Sequence, residues 1–590
     1  MKQLLTANEA IARGFYEAGG AVAAAYPGTP STEILENINH YRGSLYCEWS
    51  TNEKTALETA IGASIGGVRA LAAMKHVGLN VAADPLFTVA YTGVNGGLVV
   101  VSADDPSMHS SQNEQDNRHY ARAAKICMFE PADSQEALDM TKAAFEVSER
   151  FDVPVLLRST TRVCHSKSIV TLGERVEVPA KPYVKNRAKY DTIPAVSQVL
   201  RVKVEQRQKA LEEYSNHCPW NYVIDNGSRI GVVCSGIGFQ HARETFGSGA
   251  SYYKVGFSYP TPIESIREFA KTVDTLYVVE ELDPFLEDQL RAAGIACIGK
   301  DRLPTVGELN AGILRRCLLG RETPVVHVDT PVVDRAPALC AGCPHRGLFL
   351  ELSRFRDVIV SGDIGCYALG GADPYNTKDT SICMGASISV AHGMKKAFDA
   401  SGVEKKPVAV IGDSTFFHTG INSLCNQLYN RGTALTVIVD NRTTGMTGHQ
   451  ENPGTGYTLM GEPTEAISIE GLVRAVGAKN VRTVNPLQLS EVREALQWAF
   501  SLTEPAVIIT RWPCALKKYT PEDLAEFGRM GKCAVDAEKC VGCRLCVKTG
   551  CPALVFDKES RKVRIDALQC TACGICMQVC PTHAISKAEK

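Results

Sequence analysis

The sequence predicts a multidomain α/β protein with two large parallel-sheet domains, a smaller α/β unit and a cysteine-rich module at the C-terminus. In two separate regions, strand-like apolar runs alternate with helical runs, which is the pattern of β-α-β units and parallel sheets. The chain has 590 residues, a length that accommodates about four domains of ordinary size. Eight cysteines fall between residues 540 and 580, which indicates a small metal-binding module.

The boundaries follow from where strand-like runs give way to irregular sequence. In the first region a helical run at 53–67 lies between strand-like runs at 21–26 and 98–103, and the later region has strand-like runs at 408–411 and 435–439. Charged or proline-rich stretches between regions predict linkers. The predicted segments are 1–165 (first parallel-sheet domain), 166–228 (linker with a helix), 229–320 (smaller α/β unit), 321–337 (linker), 338–515 (second parallel-sheet domain) and 530–590 (cysteine-rich module).

Composition and charge argue against two classes of partner. The net charge is -2 and the pI is about 6.7, so no basic excess favours nucleic acid or an anionic membrane. No apolar run follows Lys2, so we expect no signal peptide. The most apolar stretch, 85–103, is interrupted by polar residues and glycines, and we expect a buried helix and a strand there rather than a membrane span. We therefore expect a cytoplasmic protein whose 22 cysteines are reduced or bound to metal.

Two runs of four cysteines predict two [4Fe-4S] clusters that transfer single electrons. The second run has the spacing C-x2-C-x2-C-x3-C-P of bacterial two-cluster ferredoxins, in which the fourth cysteine of each run ligates the other cluster. The first run has four residues, not three, before its last cysteine. The alternative of a zinc site would leave four of the eight thiols unused. The predicted ligands are Cys540, Cys543, Cys546 and Cys580 for cluster 1, and Cys570, Cys573, Cys576 and Cys551 for cluster 2.

The second large domain contains a pattern typical of a Mg2+-diphosphate site. One strand ends in Gly412-Asp413-Ser414, and the next ends in Asp440-Asn441. Neighbouring parallel strands bring such residues together at the carboxyl edge of the sheet, where α/β sheets bind ligands. Mg2+ prefers oxygen ligands and shares phosphate oxygens with the protein. We therefore predict Asp413, Asn441 and the backbone carbonyl of Thr443 as its ligands; the alternative is an ordinary strand-to-helix turn.

This pattern resembles the GDG…NN motif of thiamine diphosphate (ThDP) enzymes. Two positions depart from that motif, because Ser414 replaces its last glycine and Asp440 replaces its first asparagine. The glycines of the region let the backbone approach a ligand closely. The residues predicted to contact the cofactor are Gly412, Asp413, Ser414, Asn441, Thr443, Thr447 and Gly448.

Two further motifs resemble the 2-oxoacid:ferredoxin oxidoreductase family. Residues 440–450 are similar to the family's DN-x-x-Y-x-M-T-G-G-Q, and residues 26–33, YPGTPSTE, are similar to its YPITPSSE. The order of domains resembles that of the alpha subunit of the indolepyruvate:ferredoxin oxidoreductases. The resemblance implies a ThDP pyrimidine-type domain (1–165), a transketolase-C-terminal-like domain (229–320), a ThDP diphosphate-binding domain (338–515) and a ferredoxin-like module (530–590).

The resemblance also implies an activity and partners. It implies oxidative decarboxylation of a 2-oxoacid, chiefly indolepyruvate among arylpyruvates, with CoA accepting the acyl group and ferredoxin accepting the electrons. No segment is similar to the family's gamma domain, which implies a separate beta subunit and an alpha2beta2 assembly. The alternatives are the same chemistry on another 2-oxoacid, a non-oxidative ThDP decarboxylase and a non-catalytic electron-transfer subunit. A non-oxidative decarboxylase would leave the ferredoxin-like module idle, and a non-catalytic subunit is disfavoured by the presence of Glu53, Asp413 and Asn441.

The same resemblance implies two catalytic residues in the first domain. Glu53 aligns with the family's glutamate that hydrogen-bonds N1' of the thiamine pyrimidine and drives proton transfer. Glu58 is the rival, and Glu53 could also be a first-turn carboxylate that the helix dipole favours. Thr29, in the turn after the first strand, is implied to lie near the keto acid.

A third [4Fe-4S] cluster is a further expectation from the resemblance. The segment from Cys340 to His345, CAGCPH, is similar to the C-P-G-C-G-H of family members with a cluster close to the thiamine, and Gly365-Cys366 resembles a later G-C. Cys514 follows the last predicted strand of the domain. The implied ligands are Cys340, Cys343, Cys366 and Cys514, and the alternative is a structural C-x-x-C turn with two unrelated core cysteines.

Overall fold

The computed structural model describes residues 1–324, 327–330, 332–333, 336–528 and 531–588. The chain forms two compact units, Met1–Asp329 and Thr330–Lys590, which we call the N-terminal unit and the C-terminal unit. Part of the predicted linker 321–337 and the ends of the predicted module 530–590 lie outside the described residues.

The N-terminal unit alternates strands and helices along most of its length. Its strands are β1 (Lys2–Thr6), β2 (Val22–Ala25), β3 (Tyr46–Trp49), β4 (Ala70–Lys75), β5 (Leu98–Asp104), β6 (Cys127–Phe129), β7 (Val155–Thr160), β8 (Lys167–Thr171), β9 (Asn221–Ile224), β10 (Ile230–Ser235), β11 (Ser251–Val255), β12 (Phe257–Tyr259) and β13 (Thr275–Val279). Its helices are α1 (Ala7–Glu17), α2 (Thr32–Ile38), α3 (Glu53–Ile65), α4 (His76–Val81), α5 (Ala83–Thr92), α6 (Arg118–Ala124), α7 (Ser134–Phe151), α8 (Thr161–His165), α9 (Arg187–Tyr190), α10 (Pro194–His217), α11 (Gly236–Phe246), α12 (Ile263–Ala270), α13 (Phe285–Ala292) and α14 (Ala311–Leu319).

A seven-stranded sheet forms the centre of this unit, in the order β12-β6-β7-β5-β4-β2-β3. All neighbouring strands are parallel except β12, which runs antiparallel to β6. The central strand β5 is buried along its whole length, as expected for a parallel strand covered by helices on both faces. The apolar stretch 85–103 is a helix followed by a strand, so that prediction is confirmed.

A second sheet in the N-terminal unit has the order β13-β10-β11-β9. Strand β9 lies in the segment predicted as a linker, and β12, from the segment predicted as the smaller α/β unit, joins the seven-stranded sheet instead. Neither strand was predicted in its observed place, and the reason is physical. Strand β9 is a half-exposed edge strand of only four residues, and β12 has only three residues. The domain boundaries stay predictions.

The C-terminal unit contains one large sheet and a small cysteine-rich module. Its strands are β14 (Val358–Ser361), β15 (Lys378–Thr380), β16 (Lys406–Gly412), β17 (Leu435–Asp440), β18 (Asn480–Val484), β19 (Ala506–Arg511), β20 (Cys533–Val535), β21 (Leu554–Phe556), β22 (Val563–Ile565) and β23 (Ile585–Lys587). Its helices are α15 (His345–Leu352), α16 (Ser387–Ser401), α17 (Asp413–Thr415), α18 (Ile421–Tyr429), α19 (Ile469–Ala475), α20 (Leu489–Ser501), α21 (Pro521–Phe527) and α22 (Ile575–Gln578), and a π-helical segment, Phe416–Gly420, joins α17 to α18. Among the described helices of the whole chain, none has both the length and the apolar character that a membrane crossing requires.

The large sheet has the order β15-β14-β16-β17-β19-β18, and all its strands are parallel. One apolar layer, around Leu348, Phe349 and Leu496, covers one face, and a second, around Ile388 and Leu424, covers the other. Strands β16 and β17 are neighbours, with Gly412 opposite Val439. The predicted β-α-β arrangement is therefore present, and it brings the ends of β16 and β17 to one edge.

The cysteine-rich module contains two antiparallel ladders, β20 with β23 and β21 with β22. It is attached to the large-sheet domain through Arg346, which lies near the start of α15 and is 1% exposed. The guanidinium of Arg346 donates to the carbonyls of Leu339 at 2.9 Å, Cys340 at 2.8 Å and Thr549 at 2.8 Å. Tyr375 accepts a further bond from Arg346 and donates its own hydroxyl to the Thr549 carbonyl at 2.7 Å. One buried cation thus joins the segment before α15 to the loop between two cysteines of the module.

Candidate functional site

The carboxyl edge of the large sheet holds the predicted diphosphate-site residues together. Asp413 directly follows β16, and Asn441 directly follows β17, its parallel neighbour. The backbone N–H of Thr443 donates to Asp413 Oδ2 at 3.1 Å and is 3.3 Å from Asn441 Oδ1. Gly412 is required at the strand end, because a Cβ there would lie 2.6 Å from Cε1 of Tyr367. The side chains of Asp413 and Asn441 therefore both lie within hydrogen-bonding distance of the Thr443 backbone.

The Asp413 carboxylate is 3% exposed and forms no ion pair with a described residue. Burial, followed by the charge of the neighbouring Asp440, raises the pKa of Asp413 well above its usual range. A buried carboxylate with only neutral donors is unfavourable unless a cation accompanies it. The donor set of one carboxylate, one amide oxygen and one backbone carbonyl is the type that Mg2+ binds, so the residues present fit a divalent cation.

Asn452 is a site residue that sequence analysis did not find. Its side-chain amide donates to Asp413 Oδ2 at 3.3 Å, and its Oδ1 accepts from the N–H of Gly454 at 2.9 Å. It lies beyond the end of the recognisable motif, in a segment without regular secondary structure. No local pattern marks it, because only the fold of the loop brings it back to the sheet edge.

The loop after Asn441 is closed on itself by a short hairpin. The N–H of Thr444 donates to the Gln450 carbonyl at 2.9 Å, and the Thr447 hydroxyl donates to Gln450 Oε1 at 2.5 Å. Gly448 has a φ of 125°, which an L-residue rarely adopts. Ser414 is buried at the start of α17, so its small side chain fits where the motif has a glycine.

Glu53 is the first residue of α3 and is 5% exposed. The side chain of Asn52 caps the helix by accepting from the N–H of Thr55 at 2.8 Å. Gly78 in α4 leaves room for Glu53, since a Cβ at Gly78 would lie 2.6 Å from Glu53 Cγ. The rival Glu58 is paired with Lys54, and its side chain is 48% exposed. Only Glu53 of these two glutamates is therefore held at a fixed, buried position.

Thr29 lies in the turn that follows β2, at the carboxyl edge of the seven-stranded sheet. Its carbonyl accepts from the hydroxyl of Ser110 at 3.2 Å. Lys75, the last residue of β4, lies beside this turn, because a Cβ at Gly28 would be 3.1 Å from the Lys75 side chain. Sequence analysis did not single out Lys75, since a lysine at a strand end is ordinarily a solvated residue.

The eight cysteines of the C-terminal module surround two separate cavities. The first is lined by Cys540, Cys543, Cys546 and Cys580, and the second by Cys551, Cys570, Cys573 and Cys576. Each set combines three cysteines of one run with the last cysteine of the other run, which is the crossed arrangement that the spacing predicts. The extra residue before Cys551 is accommodated in the turn at Gly550, where φ is 67°.

A ninth cysteine, Cys533, also lines the second cavity. It is 5% exposed, and its backbone N–H donates to Cys570 Sγ at 3.3 Å. Its thiol contacts Met577 Sδ at 3.9 Å. Hydrogen bonds to ligand sulfurs are among the factors that set the reduction potential of a cluster. The sequence gives no sign of this contact, because Cys533 lies outside both spaced runs.

Cys340, Cys343, Cys366 and Cys514 lie within electrostatic range of one another. Burial raises the pKa of Cys343 to about 12, and the thiols of Cys366 and Cys514 contribute to the rise. Burial likewise raises the pKa of Cys366 to about 11, with contributions from Cys514 and Cys340. Three separate loops thus place these thiols close enough to influence one another's pKa values.

These four thiols lie next to the diphosphate edge. Asp413 contributes to the raised pKa values of both Cys366 and Cys514. The N–H of Cys514 donates to the Asn441 carbonyl at 2.9 Å, and a Cβ at Gly445 would be 3.6 Å from Cys366 Sγ. The predicted metal site and the third group of cysteines are therefore parts of one edge of the large sheet.

Comparison with known proteins agrees with this geometry. Models of three families match the chain: pyruvate flavodoxin/ferredoxin oxidoreductase, thiamine diP-binding (residues 13–218), thiamine pyrophosphate enzyme, C-terminal TPP binding domain (363–510), and 4Fe-4S dicluster domain (539–584). The indolepyruvate oxidoreductase subunit IorA of Pyrococcus horikoshii is 40% identical over 100% of this chain and 97% of that protein. That of Methanothermobacter marburgensis is 41% identical over 99% of this chain and 97% of that protein. The chain belongs to the IorA family.

Membership of the IorA family confirms the predicted fold class and two of the predicted cofactor types. The chain has ThDP-binding domains and a [4Fe-4S] dicluster domain, and the dicluster match includes all eight cysteines of the two runs. A solved 2-oxoglutarate:ferredoxin oxidoreductase from Magnetococcus marinus aligns with a TM-score of 0.44 and 17% identity over 50% of this chain and 61% of that one. That likeness is too weak to bear on the site.

Replacing Asp413 by Ala is expected to abolish retention of ThDP through desalting, because it removes the one carboxylate that the site offers to a metal. The melting temperature of the cofactor-free protein is expected to stay level or rise, since the variant loses an uncompensated buried carboxylate. A thiochrome assay measures ThDP, and calorimetry measures unfolding. Asp399→Ala, at an exposed position in α16, is the matched control. Full ThDP occupancy in the Asp413 variant would contradict the assignment.

Proposed function

We propose that the chain is the ThDP-binding subunit of a 2-oxoacid:ferredoxin oxidoreductase that converts arylpyruvates, chiefly indolepyruvate, to aryl-acetyl-CoA. One observation carries the proposal: the diphosphate edge, marked by Asp413, lies against a group of four thiols, and the loop of that group packs on the cysteine-rich module. A ThDP enzyme that only decarboxylates has no use for such a connection. An oxidative enzyme needs it to remove electrons from the substrate.

The proposed roles follow from the positions of the side chains. Asp413, Asn441 and the Thr443 carbonyl would hold Mg2+, and Gly412, Ser414, Thr447 and Gly448 would contact the diphosphate. When bound, ThDP supplies the nucleophilic carbon that attacks the keto group and permits loss of CO2. Glu53, which is buried, would hydrogen-bond N1' of the pyrimidine. Thr29 is placed in the turn proposed to contact the keto acid.

A third [4Fe-4S] cluster on Cys340, Cys343, Cys366 and Cys514 is part of the proposal. Gly342, between the first two cysteines, has a φ of 73°, and a Cβ there would lie 2.0 Å from Oγ1 of Thr571. Thr571 lies between Cys570 and Cys573, two proposed ligands of cluster 2, and Ala341 and Gly342 themselves line the cavity of that cluster. The proposed electron order is therefore third cluster, cluster 2, cluster 1 and then ferredoxin.

The buried charge of Arg346 supports this arrangement. Its described partners are neutral oxygens, yet it acts electrostatically on both Cys343 and Cys573. A buried guanidinium without a carboxylate is costly unless another anion compensates it. Thiolates bound to iron on both sides of Arg346 would provide that negative charge.

The proposal includes partner subunits. The curated relatives are named as one subunit of an oxidoreductase, which supports the existence of a second subunit. We propose that this beta subunit carries the gamma-type domain. We propose an alpha2beta2 assembly in the cytoplasm, with CoA and ferredoxin as the other reactants.

The function is tested by measuring benzyl viologen reduction by the purified two-subunit complex with indolepyruvate, phenylpyruvate, pyruvate and 2-oxoglutarate. We expect reduction that depends on CoA and has the highest kcat/KM with the two arylpyruvates. A complex that releases aldehyde and CO2 without reducing the dye would contradict the oxidative assignment. Highest kcat/KM with pyruvate or 2-oxoglutarate would contradict the substrate assignment alone.

Replacing Glu53 by Gln is expected to lower kcat by about a hundredfold or more, which is the usual contribution of a general acid-base group. The amide keeps the size of the side chain but cannot exchange a proton with N1'. ThDP content is expected to stay normal. The matched control is Glu58→Gln, whose activity is expected to stay close to that of the wild type. The reverse result, with Glu58→Gln inactive and Glu53→Gln active, would transfer the role to Glu58.

A further inference from the structure

Lys75 is a half-buried lysine at the edge of the seven-stranded sheet that also carries Thr29 and Glu53. It ends β4, whose neighbours are β2 and β5. The turn after β2 reaches it at Gly28, and its Nζ donates to the Ser110 carbonyl at 3.0 Å. The Ser110 hydroxyl in turn donates to the Thr29 carbonyl at 3.2 Å. Lys75 and the turn of Thr29 are therefore parts of one local network.

The charge of Lys75 has no direct counterion within the described residues. Asp105 and Glu53 are the acidic groups that act on it electrostatically, but neither forms an ion pair with it. Asp105 is occupied by other donors, namely the hydroxyl of Ser111 at 2.6 Å, the hydroxyl of Thr161 at 2.7 Å and the N–H of Ser110 at 2.9 Å. The adjacent His76 is buried, which lowers its pKa and keeps it neutral.

This position is unfavourable for a lysine whose only role is to donate a hydrogen bond to the Ser110 carbonyl. Burial lowers the pKa of Lys75 to about 8, which shows that water no longer stabilises the ammonium fully. A side chain that bonds one carbonyl gains less than it loses by leaving water. The position is favourable if an anion binds beside it, because a charge-assisted hydrogen bond then replaces the lost solvation.

We propose that Lys75 binds the carboxylate of the 2-oxoacid. A 2-oxoacid carries its negative charge on a carboxylate bonded directly to the keto carbon, so a cation beside the turn of Thr29 would hold the acid with its keto carbon near that turn. The proposal rests on the proposed function for its substrate class. It assigns to Lys75 a binding role and no chemical step.

The test compares a carboxylate with its neutral amide in the holo complex of both subunits. The probes are 3-phenylpropionate and 3-phenylpropanamide, which lack the keto group and cannot react, and calorimetry measures their dissociation constants. We expect the wild type to bind the acid more tightly than the amide. We expect Lys75→Met to weaken acid binding by about tenfold or more, as loss of a charge-assisted hydrogen bond implies, and to leave amide binding and ThDP content unchanged. With phenylpyruvate as substrate, KM should rise more than kcat falls.

The control is Lys54→Met, which removes a lysine next to Glu53 whose charge is already paired with Glu58 on the surface. It should change neither dissociation constant. Unchanged acid binding by Lys75→Met would overturn the proposal, and so would loss of ThDP without loss of acid binding, which would make Lys75 a cofactor contact. If Lys75→Met does not assemble, a wild-type complex that shows no preference for the acid over the amide still overturns it. Absence of dye reduction by the wild type concerns the proposed function only, because the two probes bind without turnover.

Discussion

The buried guanidinium of Arg346 is the interaction on which the C-terminal unit depends. Its four hydrogen bonds join the carbonyls before α15, the hydroxyl of Tyr375 and the carbonyl of Thr549. Without it, the buried carbonyl of Leu339 would lose its donor, which costs about 1–3 kcal/mol. The Thr549 carbonyl would keep its bond from Tyr375, and the Cys340 carbonyl would keep its bond from the N–H of Cys343. Arg346 bonds the carbonyl of Cys340, a proposed ligand of the third cluster, and the carbonyl of Thr549, which is close in sequence to Cys551, a proposed ligand of cluster 2. It therefore fixes the loop of the third cluster relative to a loop of cluster 2.

The same residue links folding to metal binding. Among the described residues, the hydrogen-bond acceptors of Arg346 are all neutral. Burial raises the pKa of the neighbouring thiols of Cys343 and Cys573. Iron binds thiolates, so loading the clusters would place negative charge on both sides of the cation. Metal binding and docking of the module should therefore stabilise each other, as expected when a metal site is completed only in the folded state. Asp413 is the converse case. It is a buried carboxylate whose pKa is raised by burial, and a bound cation would stabilise its charged form.

Features that depend on the spacing of residues along the chain could be predicted from the sequence. The two cysteine runs predicted the crossed grouping around two cavities, and the strand ends at Asp413 and Asn441 predicted their meeting at one sheet edge. Residues that reach the site through tertiary structure left no such signal. A loop places Asn452 beside Asp413, and strand β20 places Cys533 at the second cavity of the module. Lys75 lies beside the turn of Thr29 because it ends strand β4. Arg346 looks like a surface residue in sequence, and only its burial reveals its role. Strands β9 and β12 were missed because edge strands of three or four residues are too short to show a recognisable apolar pattern.

The central claim is that thiols on three loops of the large-sheet domain form a redox site between the diphosphate edge and the two-cluster module. The most direct measurement is iron per chain in the anaerobically purified complex, corrected for any iron in the partner subunit by analysing that subunit alone. We predict about twelve iron atoms per chain in the wild type, as three four-iron clusters require, and about eight when Cys340 and Cys366 are both replaced by Ser. About eight iron atoms in the wild type, with no decrease in the double variant, would contradict the claim.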